Sequence, residues 1–293
     1  MRTKVDKDRR HPRRPFDPSL IADYLGERRV LSAVPLLLGK SQTNYKLTLS
    51  DGEIFVLRLH HRSAHPERDR AALELARGLV PVPSILAWGK SWSIHSYIEG
   101  TVLAEAPECT RAAAEALARL STLRFPSAGW IEPDGSITPF DFGNGRSFLD
   151  AILERRGVLE WIGPETVQAL REIDAKQPAA QSDEPPCLVH GDFNPTNILV
   201  RNGAVTGVLD WEFAHAGDRY MDLGNLLRHT DPALHGEIEA GFAAEGYPLP
   251  GDWKERAERV DLGAHLEFLT SGRADPFKAQ CVEWIGRFVE RYR

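Results

Sequence analysis

The pattern of this chain shifts near residue 98. Before it apolar alternation of strand type dominates around one helix; after it helical spacing dominates around a few short strands. Tyr45–Leu49 alternates, Ser50-Asp51-Gly52 reads as a hairpin turn, and Ile54–Leu59 is a β-rich run, so residues 36–59 read as strands. Residues 66–77 read as a helix entered at Pro66, and 85–88 with 92–98 as another strand pair, giving the order β-β-α-β-β. Beyond it come an alanine-rich helix over 110–123 with a Thr110 cap signal and two helical stretches in 146–176. The pattern is helical again from Asp218, and ends in an amphipathic helix over 276–292. A short helix is expected over 17–29. The fold class expected is α+β in two lobes: residues 17–98 a small lobe with an antiparallel sheet plus a helix, residues 99–293 a larger, mostly helical lobe.

Two short apolar strands, 187–189 and 198–200, enclose a polar loop, His190-Gly191-Asp192-Phe193-Asn194-Pro195-Thr196-Asn197. A third, 205–209, ends in Asp210-Trp211-Glu212, thirteen residues after Asn197. This pattern brings Asp192, Asn197 and Asp210 to one end of the strands. Phosphoryl transfer needs positioning, neutralisation of developing charge and an acceptor for a hydroxyl proton. Asp192 suits the last role, and Asn197 and Asp210 are hard oxygen ligands that suit Mg²⁺.

The His-x-Asp-x4-Asn spacing, followed by an Asp after a hydrophobic strand, resembles the protein-kinase arrangement. Gly191, and Asp210-Trp211-Glu212 in place of Asp-Phe-Gly, are similar to the aminoglycoside phosphotransferase and choline kinase branch, as is Gly217–Leu223. The match spans about residues 34–228. The resemblance implies a bilobal kinase-like fold and ATP with Mg²⁺ as cofactors. It implies that His190 orders the catalytic loop, that Asp222 braces it as structural support, and that Glu212 either helps a second metal or pairs with a nearby cation. In the turn 39–45, Ser41, Thr43 and backbone N–H groups would cover the phosphates. Arg58 stands where kinases place a phosphate-binding lysine, and Asp69 where they place its helix partner, with Glu67 and Glu74 as alternatives. The backbone around Ser96 and Ile98 would hold adenine.

Other signals are set aside. Gly39-Lys40-Ser41 resembles the end of a phosphate-binding loop, but position 34 is Val34 and the required first glycine is missing. Asp141-Phe142-Gly143 precedes the catalytic loop and follows no strand, so it reads as a turn. His60, His61 and His65 alternate across a strand and suit no shared metal.

Charge and cysteine content narrow the partners. Residues 1–15 carry seven Lys/Arg against two Asp, a balance of +5, which leaves −11 for the rest of a chain whose net charge is −6. The basic head, residues 1–16, reads as a disordered, solvated tail. An acidic body argues against nucleic acid, and no apolar run approaches a membrane span. Residues 211–293 hold fifteen Asp/Glu against ten Lys/Arg. That excess suits a cationic acceptor such as an aminoglycoside or a choline-like amine, and equally suits a solvated helical surface. Three dispersed cysteines fit reduced thiols and a cytoplasmic setting. The expectation is a monomeric ATP-dependent small-molecule O-phosphotransferase (kinase), with a small-molecule hydroxyl substrate. A choline- or sugar-type metabolite kinase and a catalytically idle nucleotide-binding module are the alternatives.

Overall fold

The computed structural model describes residues 11–37, 41–61, 65–143, 146–176 and 184–293. The N-terminal part is one five-stranded antiparallel sheet, with β1 (Val30–Leu36), β2 (Thr43–Leu49), β3 (Ile54–Leu59), β4 (Ile85–Gly89) and β5 (Trp92–Ser96) in the order β1-β2-β3-β5-β4. Helix α1 (Pro66–Ala76) joins β3 to β4. The sheet starts earlier than its alternation suggests, at Val30, because β1 buries no residue fully and carries only a weak period-2 signal. Along β3, Phe55, Leu57 and Leu59 are buried with Leu47, Leu49 and Ile94 against Ile21 and Leu25 on one face. Strand geometry sends the intervening residues, Arg58 among them, to the other face. Each fully buried Leu or Phe here contributes about 1.5–3 kcal/mol.

The segment before the sheet corrects two expectations. The helix expected over 17–29 is only a 3₁₀ turn, Pro18–Ile21, running into Ala22–Leu25, and Gly26 at φ 57 ends it. Residues 11–16 are not a solvated tail: Arg14 donates its N–H to Thr43 Oγ1 (3.1 Å) and its guanidinium to the carbonyls of His60 (2.8 Å) and Ser91 (3.1 Å). The Tyr45 hydroxyl donates to Arg14 O, and the His11 ring stacks on His61. An arginine with carbonyl acceptors gains charge-assisted bonds that a solvated one lacks, which is why the basic run docks. Residues 1–10 of the expected tail lie outside the described residues.

After β5 the chain crosses at residues 97–100 to β6 (Thr101–Val102), which pairs with β10 (Ile198–Arg201), itself paired with β11 (Ala204–Val208). Helix α2 (Thr110–Leu120) follows. Thr110 is its first residue, and its hydroxyl donates to Pro107 O instead of capping from outside. A hairpin, β7 (Trp130–Ile131) and β8 (Ile137–Thr138), leads to α3 (Phe148–Leu153) and α4 (Arg156–Lys176). Helix α4 breaks at Gly163, ahead of Pro164. Strand β9 (Cys187–Val189) pairs with β12 (His215–Gly217), and α5 (Tyr220–Arg228), α6 (His235–Ala244), α7 (Trp253–Thr270) and α8 (Asp275–Tyr292) complete the chain.

One core runs from α1 through α2 to the catalytic-loop strands and α5, with Leu117, Phe193, Trp211, Tyr220 and Phe242 buried in it. A second joins α3, α4, α7 and α8 around Ile152, Leu170, Leu266 and Ile285. No helix among the described residues is long and apolar enough to cross a membrane.

Candidate active site

Strand β9 is buried at every residue and delivers His190 and the loop behind it. Two backbone donors at the start of this loop, His190 N–H and Gly191 N–H, both go to the Asp222 carboxylate in the first turn of α5 (2.6 and 2.9 Å). Asp222 is 1% exposed, and burial pushes its carboxyl up to about 6 despite these bonds and the nearby His190. Gly191 has φ +79, and a Cβ there would lie 2.5 Å from Phe213 O, so the turn admits no side chain.

The His190 ring is buried between Phe193 and Trp211. Its Nδ1 accepts the Asp192 N–H (3.2 Å), which assigns the proton to Nε2, 2.8 Å from Leu209 O. His190 therefore ties the loop to the end of β11. The Asp192 carboxylate is held on both oxygens: Asn194 Nδ2 donates to Oδ1 and Asn197 Nδ2 to Oδ2, each at 2.9 Å. Asn197 Nδ2 also donates to Asp192 O (2.9 Å), which fixes the amide so that its Oδ1 is not spent on Asp192.

Asp210 follows β11 in the left-handed region, at φ 68. That region is sparsely used by non-glycine residues, Asp and Asn being the commonest exceptions, and such residues cluster at functional sites. Arg58 Nη2 reaches across from β3 to Asp210 Oδ1 (2.6 Å) and Glu212 Oε2 (3.2 Å). Glu212 takes a further bond from Gln42 Nε2 (2.8 Å). Burial opposes the charge on Arg58, but Asp210, Asp69 and Glu212 together hold its guanidinium above its ordinary value. The expected Arg58–Asp69 ion pair does not form within 4 Å. Asp69 instead lines a cavity of about 60 Å³ with Arg58, His60, Ser93, His95 and Asp210. Its carboxyl is pushed up to about 7 by burial, against the pull of Arg58, with Glu212 and Asp210 adding repulsion. The same cavity holds His95 down at about 3 and His60 at about 4, by burial first and the Arg58 charge second.

The remaining expected residues divide. Thr43 does not face the phosphate side: it is buried, and its hydroxyl accepts the Arg14 N–H, because it shares a strand face with Tyr45 and Leu47. Ser41 is half-buried on the turn before β2, and Gly39 and Lys40 lie outside the described residues. Ser96 binds Ser84 through its N–H and its hydroxyl. Ile98 lies on the crossing, and its N–H has no partner among the described residues. Asp141 and Gly143 close a turn, the Asp141 carboxylate accepting the Gly143 N–H. Among the described residues no group of three His, Cys, Asp or Glu could hold a metal by itself. Sequence reasoning missed Asn194, Gln42, His60 and His95 as site neighbours. Period-2 spacing from Arg58 could have placed His60 on its face.

Residues 32–259 match the model of the phosphotransferase enzyme family. The hygromycin-B 4-O-kinase of Escherichia coli is 26% identical over 245 residues, spanning 76% of this chain and 71% of that protein. Among solved structures, macrolide 2'-phosphotransferase MphH from Brachybacterium faecium superposes with a TM-score of 0.66 at 18% identity, covering 92% of this chain and 97% of that one. A thermostable mutant of aminoglycoside phosphotransferase APH(4)-Ia, solved as a ternary complex with AMP-PNP and hygromycin B, gives 0.63 at 17% identity, covering 93% and 97%. These likenesses establish a bilobal, kinase-like α+β fold, and with the match over residues 32–259 the chain belongs to the phosphotransferase enzyme family.

Proposed function

We propose that the protein transfers the γ-phosphoryl group of ATP to a hydroxyl of a small molecule, an aminoglycoside or a related amine or sugar. The observation that carries this reading is the carboxylate of Asp192, held on both oxygens by Asn194 and Asn197 at a loop end whose backbone Asp222 locks. Such a carboxylate is pre-set to orient an acceptor hydroxyl and take its proton as the phosphoryl group leaves ATP. Arg58 would contact the phosphates, its fork reorienting from Asp210 and Glu212. The Ile98 N–H, without a partner among the described residues, suits an acceptor nitrogen of adenine.

The residues fit Mg²⁺. Three carboxylates, Asp69, Asp210 and Glu212, lie around one guanidinium, so acidic groups outnumber the basic one here, although burial is the main reason the Asp69 carboxyl is raised. Asp210 and the Asn197 Oδ1, with Glu212 beside them, are hard oxygen donors that would hold the ion, and the ion would neutralise phosphate charge. The solved complex of APH(4)-Ia with AMP-PNP and hygromycin B supports the nucleotide and the acceptor class.

The acidic excess of residues 211–293 does not by itself choose the acceptor. Glu239, Glu245, Asp252, Glu255, Glu258, Asp261 and Glu283 each pair with a lysine or arginine, so these seven do not mark an acceptor site. The acceptor is therefore to be found by a transfer screen over aminoglycosides, macrolides, choline and sugars with Mg²⁺ and ATP. Asp192→Ala should lower transfer at least about 10³-fold while leaving ATP affinity within about threefold. Retained turnover in that variant would remove Asp192 from the mechanism, and nucleotide binding without transfer to any acceptor would favour an idle binding module.

A further inference from the structure

Gln42 is a polar side chain only 6% exposed, on the turn that enters β2. Its two amide atoms do different work. Oε1 accepts the His61 N–H at 2.7 Å, fixing the turn to the chain just past β3. Nε2 donates to Glu212 Oε2 at 2.8 Å, 170 residues away. That same Glu212 oxygen takes Arg58 Nη2 at 3.2 Å, and the same Nη2 holds Asp210 Oδ1 at 2.6 Å. A single side chain thus joins the turn expected to cover the phosphates to the acidic segment that follows β11. Few residue types could replace it. A carboxylate cannot donate to Glu212, a lysine cannot accept from His61, and an aliphatic side chain leaves a buried N–H and a half-buried carboxylate short of a partner.

We infer that Gln42 is a positioning residue: it docks the turn before β2 onto Glu212 and thereby holds Arg58 and Asp210 side by side, placed to part towards phosphate and metal when nucleotide binds. The inference rests on reading this site as a phosphotransfer centre. Gln42 touches no reacting atom in this account. Its effect runs through Glu212, whose carboxylate swings free of the turn when the amide is lost. Arg58 can then follow Glu212 away from Asp210.

The test uses the full-length protein and two kinds of readout. Gln42→Leu and Gln42→Asn should each lower kcat/KM for ATP about 10- to 100-fold, with KM for the acceptor within about twofold. The Asn variant keeps the polarity but falls one methylene short, so it guards against a Leu variant that does not fold. The reciprocal exchange, Gln42→Glu with Glu212→Gln, restores one donor and one acceptor across the gap. It should be more active than either single variant. Amide hydrogen exchange without substrate should quicken at His61 and across 210–213 in Gln42→Asn. Wild-type-like kcat/KM in both single variants, an exchange pair no better than the product of its singles, or unchanged amide exchange at 210–213 would each overturn the inference. Should the wild type turn over no ATP, the phosphotransfer reading fails, while the exchange at 210–213 still decides whether Gln42 positions that segment.

Discussion

Two arginines of this molecule are almost equally withdrawn from solvent, with side-chain exposures of 12% for Arg58 and 15% for Arg228, yet their surroundings differ in kind. Arg228, at the end of α5, pairs with Asp261 of α7. Asp261 also lies 3.3 Å from His265 Nε2, and the His265 ring stacks on Trp284 of α8 at 3.9 Å. Burial alone would raise the Asp261 carboxyl, but the adjacent His265 and the paired Arg228 hold it below its ordinary range. Helices α5 and α7 meet closely beside this cluster: a Cβ on Gly224 would lie 2.7 Å from Ala257 O. Arg58 instead lies among three carboxylates and bonds two of them, while burial first, and the repulsion of Glu212 and Asp210 after it, raises the third, Asp69, to about 7. A balanced buried cluster is a joint between helices. An under-neutralised one beside a cavity is a place where a further cation and its phosphates can enter.

The largest effect that separates them is on activity. Asp210→Asn should lower phosphoryl transfer by about 10²–10³-fold, because the proposed metal site would lose a carboxylate oxygen and a negative charge. Its melting temperature should not fall, since Arg58 keeps Glu212 and asparagine tolerates the left-handed backbone of position 210. Steady-state kinetics beside a thermal melt reads both. A variant that melts early but turns over normally would make Asp210 a joint like Asp261.

Arg228→Ala should do the reverse. It leaves Asp261 buried without its guanidinium partner, and breaking a buried pair from one side costs about 3–5 kcal/mol. Chemical denaturation measures this, and kcat at a temperature where the variant stays folded should remain within about threefold of wild type. A cost below about 1 kcal/mol would place the pair with ordinary surface ion pairs. A large loss of kcat in folded protein would show that α5, which carries Asp222, transmits changes at its far end to the catalytic loop.

The same contrast explains what the sequence could show. The grouping of Asp192, Asn197 and Asp210 was legible because each sits at a fixed step from a short apolar strand, and strand, loop and spacing are local properties; Asp222 came only from the resemblance of Gly217–Leu223. Arg58 was legible as a charge in a β-rich run. Its partner was not, because the reach to Asp210 crosses 152 residues and the helix candidates Glu67, Asp69 and Glu74 were nearer in sequence. Thr43 was assigned to the phosphate side from its place in the turn. Its face is set by the register Thr43↔Leu59, which only the folded sheet fixes. Residues 11–16 looked like tail because their anchors are backbone carbonyls of His60 and Ser91, which leave no mark in a sequence.

The smallest effect is a slope. Asp69 titrates near pH 7 in the folded chain against an ordinary 3.8, so between about pH 4 and pH 7 the folded chain holds a proton that the unfolded chain has released. Its contribution is complete below the ordinary value and is lost as pH rises through the folded one, so stability from this group falls across that window and is flat above it. Asp69→Asn should remove that fall. Asp222, raised to about 6, acts with the same sign, and the buried His60, lowered to about 4, with the opposite one. The quantity to follow is therefore the melting-temperature difference between variant and wild type at each pH, in which the other groups cancel. Asp261→Asn supplies the control at the second arginine. Its carboxyl is lowered on folding, so its stabilisation is present above the ordinary value and lost on acidification, and the variant's deficit should shrink as pH falls. Opposite slopes for the two variants are what an under-neutralised site and a balanced joint require. Parallel slopes would mean that Asp69 is charged and paired in the folded chain as Asp261 is, and the contrast between the two arginines would fail.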